Sequence, residues 1–327
     1  MRTRILITVG DINGIGPEII LKALRNPVIS GKYDITVITP LRVQEYYYRK
    51  LHLKGGMENY KIISICEGKA NVNLGEITEE SGYISGFAVK TAVELCLKNR
   101  YDAIVTAPIS KKALHLGGFL YEGHTEMLSD LSGSKHTAMI MLHKKMNIGF
   151  ASTHPPLKNV PKILTKNLLK NKIKVCINAA KNDLGIKKPR IGVLSLNPHA
   201  GENGQIGDEE IKTIIPVIDE LNKESNGAQL SGPYPSDSYF AVGKYKDFDM
   251  TFAMYHDQGF IPFKMVAGFH GVNYTSGLSF IRTSPDHGTA FDIAGKNIAD
   301  ESGMIEAIRT ADKLYKTRVK NIKSGKN

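Results

Sequence analysis

What the chain has little of narrows its class before any motif is read. Cysteine occurs three times, at Cys66, Cys96 and Cys176, in no CxxC spacing. An odd, scattered set is not a disulfide framework, and Cys96 and Cys176 fall in apolar helical patterns that predict buried thiols and a reducing compartment. No run approaches the roughly 20 apolar residues that span a membrane. The apolar stretch in MRTRILITVGD is too short for a secretory signal and runs into a Gly turn. A soluble, unprocessed, cytoplasmic protein is therefore expected. There is no HExxH helix, no Cys–His cluster, no internal repeat and no low-complexity tract. The dinucleotide fingerprint is missing too: GDINGIGPE (10–18) carries Gly10, Gly14 and Gly16, whereas G-x-G-x-x-G also needs glycine at 19, which is Ile19. On these features a purely structural turn and a functional loop are equally supported.

What is there is the composition of an ordinary globular protein, 42% hydrophobic and 23% charged over 327 residues. That length exceeds the usual single core, so two lobes with a cleft are the default expectation. A formal charge of +11 admits either nucleic acid or an anionic small substrate as partner. The excess is scattered Lys, concentrated at 162–188 and in KLYKTRVKNIKSGKN without the aromatic interleaving of single-strand binders, so no nucleic-acid partner is expected.

Short β-branched runs alternate with longer amphipathic stretches, which predicts a mainly parallel α/β architecture. Strands are expected at 4–10, 34–39, 61–65, 102–106, 138–142, 146–152, 190–196 and 249–254. Helices are expected from Pro17 to Arg25 and over 84–99, 163–184, 208–223 and 300–320. The stretch 163–184 reads as one amphipathic helix, broken at most once. NKESNGAQLSGPYP (222–235) reads as a loop.

Three histidines stand where expected strands end: His154 in STHPP, His199 in LNPHAGENG and His256 in AMYHDQG, each followed by residues expected to turn the chain. Carboxyl ends of strands are where open α/β sheets bind ligands. Three neutral imidazoles can hold a divalent ion and leave a coordination position open, which is the pattern of a catalytic site. Taken singly, a strand-end His is most often a satisfied polar residue; the matched settings are what make these three candidates. DAIVTAPISKKAL (102–114) ends a strand at Thr106 and offers Ser110 as an N-cap, with Lys111 turned to an anion or to water. YEGHTEML (121–128) places His124 and Thr125 before a helical stretch, either to hold a carboxylate or phosphate or simply to cap the helix. Asp257 beside His256 suits an orienting or acid–base role. Lys264 and Arg282 place positive charge in apolar settings, where an unpaired charge is costly, and a surface salt bridge is the alternative for each.

DHGTAFDIAGK (286–296) resembles the HGSAPDIAGK segment of the isopropylmalate and isocitrate dehydrogenases, whose loop holds the adenosine end of the nicotinamide cofactor. The resemblance implies cofactor contacts from His287 and Gly288, and an Asp292 that accepts from the ribose hydroxyls and favours NAD over NADP. GDxxGIGPE, DAIVTAPISK, GHTE, NPHAGENG, AMYHDQG, GVN and FIRTSPDHGTA, in this order, are similar to the 4-hydroxythreonine-4-phosphate dehydrogenase family over nearly the whole chain, with Ile12 and Asn13 where Pro-Ala is more usual. That resemblance implies an isocitrate/isopropylmalate dehydrogenase-like α/β fold of two lobes with an interdomain active site. The first lobe would comprise 1–126 plus 276–327 and carry the cofactor segment; the second, 127–275, would carry metal ligands and dimer contacts. It further implies a homodimer whose metal site is shared across the interface, with a divalent ion (Zn, Co, Ni, Mn or Mg) on His154, His199 and His256. Substrate contacts would come from His124, Thr125, Lys264, Asn273 and Arg282, and proton transfer from Asp257 or Lys264. The implied reaction is NAD-dependent oxidation of 4-phosphooxy-L-threonine to a β-keto acid that decarboxylates to 3-amino-2-oxopropyl phosphate, in pyridoxal phosphate biosynthesis. A sister family that oxidises 4-phospho-D-threonate and 4-phospho-D-erythronate shares these motifs, so they leave the phosphorylated hydroxy acid open. A metal-dependent hydrolase would use the same histidines but leaves the segment 286–296 without a purpose.

Overall fold

The computed structural model describes residues 2–66, 68, 70–224 and 227–325. Eleven strands lie among the described residues: β1 (Arg4–Thr8), β2 (Asp34–Thr39), β3 (Lys61–Ser64), β4 (Ala103–Thr106), β5 (Ala138–His143), β6 (Met146–Phe150), β7 (Arg190–Leu194), β8 (Gln229–Tyr234), β9 (Met250–Ala253), β10 (Val272–Ser276) and β11 (Ile281–Pro285). With the helices between them they make an α/β protein. The chain divides into two compact units, Met1–Lys135 with Leu278–Lys316 and His136–Gly277 with Thr317–Asn327.

In the first unit the strands run in the order β3-β2-β1-β4-β11, and every neighbouring pair is parallel. The inner strands β1, β2 and β4 are short β-branched runs whose side chains are buried almost throughout, as sheets covered on both faces require. Helices Gly16–Arg25, Leu41–Lys50 and Glu79–Leu97 follow β1, β2 and β3. The last of these begins at Thr78, whose Oγ1 accepts from Ser81 N at 3.1 Å, satisfying one of the helix's open donors.

The second unit has the order β10-β5-β6-β9-β7-β8, antiparallel from β10 to β6 and parallel from β6 to β8. Phe150 of β6 stands opposite Ala253 of β9, and Val193 of β7 opposite Phe252. Met141, Ile148, Phe150, Leu194, Tyr239 and Phe263 pack together as its core. Tyr274 of β10 donates to Asp183 at 2.5 Å, and Arg318 donates to the other carboxylate oxygen at 2.6 Å. This hydrogen-bonded trio fastens the last turns of the helix Ser302–Lys323 to the unit.

Three strands depart from expectation. β8 lies in the stretch read as a loop, of which residues 225–226 fall outside the described residues, and β10 and β11 were not anticipated at all. The helix expected over 163–184 starts at Lys166, where Thr165 Oγ1 accepts from Leu168 N at 3.2 Å, and widens into a π-helical turn over Ala179–Asp183. Cys96 and Cys176 are buried, and burial pushes both thiols up to about 12. No helix among the described residues is long and apolar enough to cross a membrane.

Candidate functional site

Strands β6, β9 and β7 are adjacent and parallel, so their carboxyl ends lie side by side. His154 follows the end of β6 by four residues, His256 the end of β9 by three and His199 the end of β7 by five. The sheet thus sends all three histidines to one edge of the second unit. The rings of His154 and His256 have centroids 6.4 Å apart, within reach of one ion at Zn–N bonds of about 2.0–2.1 Å. His256 stacks on Phe260 at 4.1 Å, and its Nδ1–H donates to Asp257 at 2.7 Å. A carboxylate on Nδ1 fixes the tautomer that offers Nε2 to a ligand, so this donor set fits a divalent ion. Among the described residues, however, no group of three or more His, Cys, Asp or Glu side chains stands close enough to hold a metal. The chain by itself aligns the three loops without gathering all three rings.

His199 opens a run of left-handed residues, His199 to Asn203, with φ between 43° and 80°. Each non-glycine residue there costs on the order of 1 kcal/mol, so the surroundings must over-determine the loop. Glu210 does so from full burial: Oε1 accepts from Leu196 N at 2.7 Å and Asn197 N at 2.8 Å, and Oε2 from Asn197 Nδ2 at 2.9 Å. Gln258 likewise joins the ends of β9 and β7. Its Oε1 accepts from Met254 N at 2.6 Å, and its Nε2 donates to the Ser195 carbonyl at 2.6 Å. Neither residue was singled out by sequence reasoning. For Glu210 a signal existed, a carboxylate on the same helical face as Ile214, Val217 and Leu221.

Two expectations about this region are corrected. The residues after His256 do not turn the chain; His256 and Asp257 open the helix His256–Ala267. Gly259, read as a turn former, is there because a Cβ would lie 2.5 Å from the Phe150 ring. Lys264, expected in apolar surroundings, is exposed on that helix. Asn273 sits on β10 opposite Met141, and its Oδ1 is buried without a hydrogen-bond partner.

The first unit carries a different cluster. Arg282, on β11 opposite Ile104 of β4, is the largest fully buried side chain of the described residues and donates to Thr106 Oγ1 at 2.6 Å. Burial lowers its guanidinium to about 9, with the Glu126 carboxylate working the other way, so it stays charged at neutral pH. His124 and Thr125 are the first two residues of the helix His124–Leu131, whose N-cap, Gly123, brings no side-chain cap. Burial, and then the charge of Arg282, hold His124 well below the ordinary imidazole range, so the ring is neutral. Its Nε2 is buried without a hydrogen-bond partner. A fixed cation, a neutral imidazole and the uncapped start of a helix are complementary to an anion.

After β11 the chain enters the segment that resembles a cofactor loop. His287 Nδ1 donates to the Gly288 carbonyl at 3.2 Å, Ala290 is left-handed at φ 41°, and Asp292 stands exposed in the short helix Phe291–Ile293. The GDINGIGPE loop is held by hydrogen bonds of buried side chains. Asn13 is buried and donates to Glu76 O at 3.0 Å and Thr78 Oγ1 at 3.1 Å, while its Oδ1 accepts from Asn73 N at 2.8 Å. Tyr47 reaches the carbonyls of Ile12 and Gly14, each at 2.9 Å. Burial raises the Asp11 carboxyl, whose Oδ1 accepts from Asn13 N at 3.0 Å.

Fold and clusters together define an α/β protein of two units, with three histidines following the carboxyl ends of adjacent parallel strands, where such enzymes bind ligands, and a buried cationic cluster around Arg282. The family model for the pyridoxal phosphate biosynthetic protein PdxA matches residues 20–311, and the chain belongs to that family. It is 40% identical over 323 residues to a 4-hydroxythreonine-4-phosphate dehydrogenase of Sulfurihydrogenibium, covering 96% of this chain and 99% of the relative. A putative D-threonate 4-phosphate dehydrogenase of Oceanobacillus iheyensis is 38% identical over 327 residues, 95% of this chain and 98% of the relative. Among solved structures, the 4-hydroxythreonine-4-phosphate dehydrogenase of Klebsiella pneumoniae superposes with a TM-score of 0.83 at 33% identity, covering 96% of this chain and 99% of that one.

Proposed function

We propose that this oxidoreductase of pyridoxal phosphate biosynthesis oxidises the 3-hydroxyl of 4-phosphooxy-L-threonine with NAD⁺. The product is a β-keto acid that loses CO₂ to give 3-amino-2-oxopropyl phosphate. Relatives named for this activity match nearly the whole chain at 36–40% identity. The single observation that carries the reading is the buried Arg282 cation with the neutral His124, whose buried Nε2 has no partner. A buried imidazole nitrogen without a partner is costly unless a ligand completes it.

In this reading Arg282, His124, Thr125 and the N–H groups that open the helix His124–Leu131 hold the anionic end of the substrate. Asn273 accepts from the substrate through its Oδ1. His154, His199 and His256 hold a divalent ion (Zn²⁺, Co²⁺, Ni²⁺, Mn²⁺ or Mg²⁺), one of them contributed by the partner of a homodimer, and His287, Gly288 and Asp292 hold NAD. When bound, the metal supplies Lewis-acid stabilisation of the developing oxyanion and NAD⁺ takes up the hydride. Asp257, already accepting from His256 Nδ1, orients that ring, and the carbinol proton passes to Asp257 or Lys264. The carboxylate of Asp292 would accept from ribose hydroxyls and repel a 2′-phosphate. The reading also carries a division into a first lobe (1–126 plus 276–327) for the cofactor and a second (127–275) for metal and dimer contacts, and it places the protein in the cytoplasm, without a nucleic-acid partner.

A second reading rests on the Oceanobacillus relative: oxidation of 4-phospho-D-threonate or 4-phospho-D-erythronate. Metal-reconstituted protein given NAD⁺ and each of the three phosphorylated acids separates the two by NADH formation. Preference for 4-phosphooxy-L-threonine supports the first reading, preference for a sugar acid supports the second, and silence on all three overturns both.

A further inference from the structure

The chain running from the segment that resembles the cofactor loop to Ala299 just beyond it is tied down at two points by the first helix and the turn that leads into it. At one end Ile15 N donates to the Thr289 carbonyl at 2.9 Å, and Gly14 packs so closely that a Cβ would lie 2.8 Å from the same oxygen. At the other end, Glu18 Oε1 accepts from Ala299 N at 2.9 Å while Lys22 Nζ donates to the Ala299 carbonyl at 2.8 Å. Glu18 and Lys22 are themselves paired at 2.9 Å, one turn apart on the helix Gly16–Arg25, with Glu18 fully buried. Both backbone groups of Ala299 are thus satisfied by one ion pair. A carboxylate buried at an α-helix start, beside its own i+4 lysine, is a costly way to hold a loop end. It fixes that end in position and angle, which a water-facing contact would not do.

We infer that Gly14, Glu18 and Lys22 are positioning residues for the nicotinamide cofactor: they hold Thr289 and Ala299 so that His287 to Asp292 are preformed for its adenosine end. The inference rests on the reading of 286–296 as the NAD segment. Preorganisation lowers the ordering cost of binding, so loss of an anchor weakens cofactor binding and leaves the phosphorylated substrate's contacts, on Arg282 and His124, as they were.

The test uses the full-length, metal-reconstituted protein, with NADH binding measured by calorimetry in the absence of substrate. Gly14→Ala and Lys22→Met are each expected to raise the NADH Kd at least tenfold and to raise KM for NAD⁺. The kcat at saturating NAD⁺ and KM for the phosphorylated acid should stay within about twofold. Hydrogen exchange of the peptide spanning 289–299 should speed up in Lys22→Met, which reports loss of the anchor even if Gly14→Ala fails to fold. Asp292→Ala runs alongside. If it weakens NADH binding while Lys22→Met leaves both the Kd and the exchange unchanged, the anchor inference is overturned and the cofactor reading stands. If Asp292→Ala and His287→Ala both bind NADH as the wild type does, the cofactor reading falls and the anchor inference falls with it.

Discussion

The two clusters of polar side chains differ in how far one chain finishes them. In the first unit, Arg282 is fully buried and braced by Thr106, His124 is held neutral, and the start of a helix lies beside them. In the second, His154 and His199 are exposed, and the His256 and Asp257 side chains are 43% and 71% exposed. The first is largely withdrawn from water before any ligand arrives, so its electrostatics are already strong. The second has aligned loops, an oriented ring and no closed coordination sphere. A pre-paid cluster sets affinity for whatever anion binds there, whereas an open cluster needs an ion, and in the proposed homodimer a second subunit, to become a site.

The comparison is broken most sharply by removing a ring from the open cluster. His256→Ala is expected to lower kcat/KM at least on the order of 10³-fold, because Lewis-acid stabilisation is worth several kcal/mol at about 1.36 kcal/mol per decade. Stoichiometric metal by elemental analysis together with wild-type turnover would end the metal reading. Arg282→Met tests the closed cluster. Truncating one partner of a buried charged contact costs about 2–5 kcal/mol, so KM for the phosphorylated substrate should rise on the order of 10²-fold, with metal content unchanged. If instead metal is lost and KM holds, the division of labour is wrong. Glu210→Gln comes next, since it touches the metal cluster only through the loop that carries His199. An amide cannot accept as the carboxylate does from three N–H groups, and metal affinity measured against a chromophoric chelator should fall about 10–100-fold, the usual cost of disturbing a ligand's support.

The same contrast explains what could be read from the sequence. β1, β2, β4 and β9 announce themselves as apolar runs, and the three histidines follow from where such runs end. β11 does not, because IRTSP looks like a turn. It is a buried strand only because Arg282 finds Thr106 and Thr283 Oγ1 donates to the Ala307 carbonyl at 2.8 Å. β10 hides for the same reason: Tyr274 is buried by way of Asp183 and Arg318. Pattern reading detects burial through apolarity, so strands whose polar groups are paired across long sequence separations escape it. The helix His256–Ala267 escapes by the opposite error, since Gly259 and Pro262 are breakers by propensity, while Gly259 is required by the Phe150 ring. Helical residues such as Glu210 and Gln258, which hold the loops of the site, bond to backbone atoms of other segments that no motif reports.

The smallest expected effect concerns the closed cluster and acid. A histidine held below its unfolded value of about 6.5 binds its proton more readily in the unfolded chain. The stability from keeping His124 neutral is therefore fully present above that value, and is lost as pH falls from there through the depressed folded value. Urea midpoints followed from pH 8 to pH 5 should decline in the wild type and decline less steeply in His124→Asn, which has no ring to protonate. Burial is the larger cause of the depression and the Arg282 charge the smaller, so Arg282→Met should keep most of the wild-type slope. A slope that vanished in Arg282→Met would make the cation, rather than desolvation, the reason this ring is neutral. Identical slopes in the wild type and His124→Asn would mean that His124 is not held neutral in the folded protein.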